Sequence, residues 1–221
     1  ESADDVFAGE LTRCAAEGEL AAWLAAHTGE DASPLALAFD GTSGAGTGEV
    51  QAVALAAAGG DAIWFDPAQL GVGDDAAFAT WLSDPAQAKV MHASKAAMLA
   101  FGARGLEVAG LAADIELSAY LVLAGQRALT VSDLVERFLH TTLPTADGSG
   151  GQLTFDVDDG AANRDALAAA ARAILALSAV LDAQIVERGG EALLSDVELP
   201  LVTLLAQMER DGICLDIAYL E

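Results

Sequence analysis

Basic residues are scarce in this chain. Ten lysines and arginines stand against 34 aspartates and glutamates, a formal charge of −24 over 221 residues. Phosphate contacts dominate nucleic-acid affinity, and a binding surface normally shows a stripe of lysine and arginine. Here the cations are scattered, with no cluster of three, so the chain taken alone is expected to bind DNA weakly or not at all. Cysteine is nearly absent. Cys14 and Cys214 are far apart in sequence and have no histidine or cysteine ligand partner nearby. That excludes a disulfide framework and predicts two reduced, buried thiols in a cytoplasmic protein. No uncharged apolar run reaches the ~18 residues of a membrane span. The most alanine-rich stretch is interrupted by Asp165, Arg172 and Asp182, so a buried helix is expected there. There is no signal-peptide pattern and the first residue is Glu1, which suggests a piece of a longer protein. No nucleophile elbow, P-loop lysine or calcium-loop pattern is present. "GAGTG" at 44–48 lacks the third glycine of a dinucleotide loop and precedes a strand. His27, His92 and His140 are isolated and read as structural.

What is present is apolar and patterned. The chain is 53% hydrophobic, with a mean hydropathy of +0.39, enough for one large core. Residues 1–31 read as an acidic helical lead-in, with Leu11, Cys14, Ala15, Leu20, Trp23 and Leu24 at helix-like spacing. "SPLALAFDG" reads as a strand opened by Pro34, and "EVQAVALAAAGGDAIWFDP" as two strands about a Gly-Gly turn. Three strands in succession predict an antiparallel meander. Beyond them the spacing predicts a short helix carrying Asp74 and Asp75 in its first turn, where the helix dipole favours anions. Next come a strand at 89–91 and a helix from Ser94 to Gly105. "LEVAG", a short strand or extended piece, and a helix "ADIELSAYLVLAG" follow. "TVSDLVERFLH" is a helix with a capping box from Thr130 to Asp133. A Gly-rich loop at 145–152, a long helix at 161–187 and a last helix ending at Asp211-Gly212 complete the order. Strands alternating with helices around a meander indicate an α/β layer fold with a mixed central sheet flanked by helices.

The one chemical feature that stands out is Asp40, an acidic residue closing an apolar strand. Two-metal phosphodiester hydrolases need several carboxylates converging on cations ~3.5–4 Å apart. An Asp-x-Glu pair on one strand supplies two of them, because residues i and i+2 share a face. At this spacing the chain reads Asp40-Gly41-Thr42, so a neutral hydroxyl takes the second place. Asp156 and Asp158, in "DVDD", are the other candidates for a shared cation; the plainer reading is an acidic loop before a helix.

Two stretches carry a family resemblance. "VELPLVTLLAQMERDGICLD", 197–216, resembles the joint in bacterial DNA polymerase I where the 3′–5′ exonuclease domain hands over to the polymerase domain; Glu198, Pro200, Leu201, Leu205, Met208, Glu209, Gly212, Ile213 and Asp216 match. "KVMHASKAAMLAFGARGLEVAGLAADIELSAYLVLAG", 89–125, is similar to the middle of that exonuclease domain through Lys89, Val90, Lys95, Gly105, Gly110, Asp114, Leu117, Tyr120 and Leu121. "TVSDLVERFL" matches the helix that follows, and the alanine-rich, acidic style is like that of high-GC bacteria. The resemblance runs from about residue 34 to the end and implies a ribonuclease H-like 3′–5′ exonuclease fold, as in the Klenow-type fragment.

The resemblance also implies four metal-binding carboxylates, and each can be placed. The first motif falls on Asp40 and Thr42: the aspartate survives and the glutamate does not. The second falls ungapped on "ASKAA", with Ala97 at the aspartate's place and Lys95 keeping the family's lysine. The third falls in "DALAAAARAILAL", with Ala169 or Ala170 at the aspartate's place, depending on a one-residue gap. Asp114 matches a family aspartate outside the catalytic set. The implied organisation is a lead-in at 1–31, a degenerate exonuclease-like domain at 32–196 and the start of a polymerase domain at 197–221. The expectation is a catalytically inactive structural module of a DNA polymerase I, with no cofactor of its own and Mg²⁺ needed only by the parent polymerase. Its partners would be the polymerase domain of the same chain, DNA through the full-length protein, and no membrane. The alternatives are an active exonuclease with relocated ligands, using Asp40 with Asp156 or Asp158, and an acidic module that docks a basic partner.

Overall fold

The computed structural model describes residues 6–44, 46–123, 129–144 and 159–214. Asp156, Asp158, Asp216 and the loop 145–152 lie outside the described residues. Among those described, six strands form one sheet in the order β1-β4-β3-β2-β5-β6. They are β1 (Leu11–Arg13), β2 (Leu35–Thr42), β3 (Glu49–Ala56), β4 (Ala62–Phe65), β5 (Lys89–Met91) and β6 (Leu111–Asp114). β2, β3 and β4 make the expected antiparallel meander. β1 joins β4, β5 joins β2, and β6 joins β5, all in parallel. The sheet is therefore mixed.

Period-2 alternation gives the sheet two different faces. Leu35 and Leu37 of β2, Val53 and Leu55 of β3 and Ile63 of β4 point to one side. There they meet α1 (Glu19–His27), α2 (Val72–Ser83), α3 (Ser94–Ala103) and the last helix, α8 (Leu199–Asp211). This layer holds the large side chains, with the Phe78 ring in contact with those of both Phe65 and Phe101. The other face is built of small ones: Ala36, Ala38, Ala54, Ala56, Ala62 and Ala113. Against it lie α4 (Ile115–Val122) and α6 (Asp159–Glu187), which offers Ala168, Ala171 and Ala173 in return. Methyl against methyl lets helix and sheet backbones approach closely, so an alanine-rich core still fills its space. By length and composition α6 could cross a membrane. Its Ile174, Leu177 and Leu181 are instead buried against the sheet and α4.

Local rules explain most ends. Thr130 opens α5 (Val131–Leu134) with the expected capping box. A π-type turn, Val135–Leu139, continues it. α7 (Glu191–Leu193) and a second π-type turn, Leu194–Glu198, lead into α8. Three expectations need correction. The lead-in is not helical throughout: Leu11–Arg13 is an edge strand, made so by pairing with Ala62–Trp64. The stretch "ADIELSAYLVLAG" is not helical from its start: β6 begins at Leu111, directly after "LEVAG", and takes its first two residues, Ala113 and Asp114. The two thiols are not both buried: Cys14 is half-buried and Cys214 is exposed.

Candidate functional site

Asp40 stands where β2 leaves the core. The first four residues of the strand are buried, and Asp40, Gly41 and Thr42 are exposed. β2 alternation carries Ala36 and Ala38 to the α6 face, and Asp40 and Thr42 follow on that face. A register shift falls between Asp40 and Gly41. Asp40 lies opposite Ala52 and Gly41 opposite Val50, which leaves Gln51 as the extra residue of a bulge. Gly41 must be glycine here, since a Cβ would stand 2.0 Å from the Glu49 carbonyl oxygen. The strand therefore delivers one carboxylate and one hydroxyl, side by side, to solvent.

The other predicted positions are methyl groups. Ala97 lies on α3, 1% exposed, in the large-residue core with Met98 and Phe101. Ala169 is buried on α6 and Ala170 half-buried beside it. α6 runs across β2, β3, β4 and β5, so its helix and Asp40 share one face, while Ala97 packs within the layer on the other. Among the described residues no three His, Cys, Asp or Glu side chains converge as a metal would need.

Sequence reasoning missed four buried charges that organise the fold. Asp114 is the N-cap of α4 and accepts the backbone N–H of Glu116 at 2.9 Å. It also accepts the Ser94 N–H at 2.7 Å and the Ser94 hydroxyl, tying α3 to β6. Asp74, 1% exposed on α2, accepts the N–H groups of Gly18 and Ala21 at 2.8 and 2.9 Å. Arg172, on α6 just past the alanine positions, is 8% exposed. It donates to the carbonyls of Gly60 at 2.7 Å, Glu10 at 2.9 Å and Phe7 at 3.3 Å, clamping the lead-in to the β3–β4 turn. Burial lowers its pKa below the ordinary arginine value. It lines a cavity of about 420 Å³ with Gly59, Gly60 and Leu175. Lys89, fully buried on β5, donates to the carbonyls of Asp84 and Gln87 at 3.0 and 2.8 Å and lies 4.8 Å from the Trp81 ring centre. For Asp114 and Arg172 the available signal was a charge set singly in an apolar run. The Cys14 thiol, near Asp74, has its pKa raised by burial and by that carboxylate, so it is a poor nucleophile.

The family model for the DNA polymerase I ribonuclease H-like domain matches residues 47–147. DNA polymerase I of Mycobacterium tuberculosis strain H37Rv is 38% identical over 218 residues, 98% of this chain and 24% of that protein. The chain carries a 3′–5′ exonuclease-like domain of the DNA polymerase I type. Geobacillus stearothermophilus DNA polymerase I is 31% identical over 150 residues, 66% of this chain and 17% of its own length. Among solved structures, the POL domain of Pol1 from M. smegmatis, in complex with DNA primer-template and dNTP, superposes with a TM-score of 0.80 at 35% identity. That match covers 94% of this chain and 33% of that one. Escherichia coli RNase D, an exoribonuclease, shares the fold alone, with a TM-score of 0.70, 16% identity and coverage of 90% and 51%. The chain thus has the ribonuclease H-like exonuclease fold, and it spans about a quarter of the length of the M. tuberculosis relative.

Proposed function

We propose that this region is a catalytically inactive 3′–5′ exonuclease-like domain, serving as a structural module of a DNA polymerase I in replication and repair synthesis. The observation that carries the reading is the donor set. At the four family ligand positions stand Asp40, Thr42, Ala97 and either Ala169 or Ala170. Two-metal hydrolysis needs one ion to activate water and a second to steady the leaving oxygen, both clamped by carboxylates. One carboxylate and one hydroxyl supply neither the charge nor the bridging oxygens. The residues present do not fit the metal pair. The burial of Ala97 supports the same reading, because that place is filled by core packing. DNA and Mg²⁺ would be handled by the polymerase portion of the parent protein.

The test is degradation of 3′-labelled single-stranded DNA by the purified chain, with Mg²⁺ or Mn²⁺. No metal-dependent shortening is expected. Shortening that disappears in Asp40→Ala would overturn the reading.

A further inference from the structure

The cavity of about 420 Å³ beside Arg172 lies away from the Asp40 end of the sheet. Three pieces of chain frame it: the lead-in at Val6 and Ala8, the β3–β4 turn at 57–60, and α6 at Arg172, Leu175 and Ala176. The frame is tight. An added Cβ on Gly60 would stand 2.3 Å from the Ala8 carbonyl oxygen, and one on Gly9 would stand 2.1 Å from the Gly60 oxygen. Ala56, next to the turn, pairs with Ala36, whereas Asp40 pairs with Ala52. Four residues of strand put about 13 Å between the two places.

Arg172 is the one charged side chain among the described residues that line the cavity. A guanidinium carries five N–H donors. Three of them go to the carbonyls of Gly60, Glu10 and Phe7, the last a long contact at 3.3 Å. Among the described residues no carboxylate accepts a hydrogen bond from it. Burial lowers its pKa, and Asp61 and Asp165 offset that only in part. A buried charge is stable when it is paired as well as hydrogen-bonded. Here carbonyl dipoles supply the bonds and the counter-charge is missing.

The geometry points to a binding site for a small aliphatic monocarboxylate, with its carboxylate on the N–H groups of Arg172 that the carbonyls leave over and its hydrocarbon chain against Ala57, Ala58, Leu175 and Ala176. The volume falls within the ~300–1,000 Å³ of ligand pockets, and so does the plan: apolar walls and one charged group that fixes orientation. The walls decide the ligand class. They offer no aromatic ring to stack a base and no second cation for a phosphate dianion. The chain's −24 disfavours each further negative charge on a ligand. None of the four family ligand positions lines the cavity, so the proposal stands apart from the nuclease reading.

Sodium hexanoate is the probe. Saturation-transfer NMR on the 221-residue chain should show its methylene and methyl signals, with a Kd of about 1 mM, as suits a ligand of so few atoms. The Arg172 side-chain N–H resonances should shift with the same constant. Hexan-1-ol should bind about tenfold more weakly, because it forfeits the charge-assisted bond. Arg172 clamps the lead-in, so the walls are changed instead. Ala58→Phe, on the exposed turn, and Ala176→Phe, on α6, fill the cavity while the three carbonyl bonds remain. Circular dichroism identifies the variant that keeps the wild-type fold, and in it hexanoate affinity should fall about tenfold or more. Absence of transfer and of Arg172 shifts at about 10 mM hexanoate would overturn the proposal. Equal affinity for hexan-1-ol, or undiminished hexanoate affinity in the folded wall variant, would do so as well. Tighter binding of hexyl phosphate would overturn it in favour of phosphate esters.

Discussion

Lys89 is a lysine without a carboxylate. Its ammonium is satisfied by two backbone carbonyls and the Trp81 ring, with no exposed surface left. Burial disfavours the charged form and brings its pKa down to about 8, against a partial upward pull from Asp84. The unfolded chain keeps this proton up to about pH 10.4. Between those values the unfolded state binds more protons than the folded one, so stability rises with pH across that window. The wild-type chain should gain about 2 kcal/mol of unfolding free energy between about pH 8 and 10 relative to Lys89→Met, after the common background is subtracted. Urea titrations at stepped pH check this, and parallel curves for the two proteins would refute it. Below about pH 8 the same burial is a cost, set against the brace that the ammonium gives to the Asp84–Gln87 turn. The sequence showed Lys89 as a family match at the head of an apolar strand. Nothing local marked it as buried, because the carbonyls and the ring that hold it are assembled by the turn before β5 and by α2.

At the scale of elements, α1 is capped from outside. Its N-cap, Gly18, sits at φ 92 and has no side-chain oxygen. Asp74 reaches from the first turn of α2 and takes two of the orphan N–H groups. One carboxylate thus serves two helix starts, with its own dipole interaction in α2 and hydrogen bonds in α1. Asp74→Ala should cost about 3 kcal/mol, since it removes a buried charged acceptor and strands two donors. Asp74→Asn, which keeps one carbonyl oxygen, should cost less. Urea midpoints order the three proteins, and an alanine variant as stable as wild type would sink the account. The sequence made the acidic first turn of α2 legible, together with the meander and the capping box at Thr130, because each is set by neighbours in the chain. It hid β1, whose Leu11, Cys14 and Ala15 fit a helical spacing and become strand and turn only beside β4. It displaced β6 because Asp114 ends a strand and caps a helix at once. Gly110, at φ 71 with Gln87 O 2.3 Å from where a Cβ would be, keeps the preceding residues out of β6, which starts directly after it. Period 2 also put Asp40 and Thr42 on a common face, but neither the bulge at Gly41 nor the depth of Ala97 had a signal in the chain.

For the molecule as a whole, the deciding quantity is charge. Among the described residues Lys95 pairs with Glu209 at 2.5 Å, and His27 stands 3.5 Å from Asp61. The −24 is already net of all ten lysines and arginines, so it is uncompensated within the chain. Like charges repel more in the compact state than in the expanded one, and salt screens that repulsion. The Debye length falls from about 30 Å at 0.01 M to about 8 Å at 0.15 M salt, which takes it below the spacing of most surface charges on a domain of this size. The thermal midpoint should therefore rise by several degrees over that range, an increment of about 1 kcal/mol. Sodium chloride titration in a scanning calorimeter measures it. The same field governs contact with DNA. A surface that releases counterions from phosphate binds best at low salt, whereas this one is most repulsive there. Fluorescence anisotropy of a labelled single strand should accordingly show no binding at about 0.05 M salt, and affinity that strengthens as salt is lowered would contradict it.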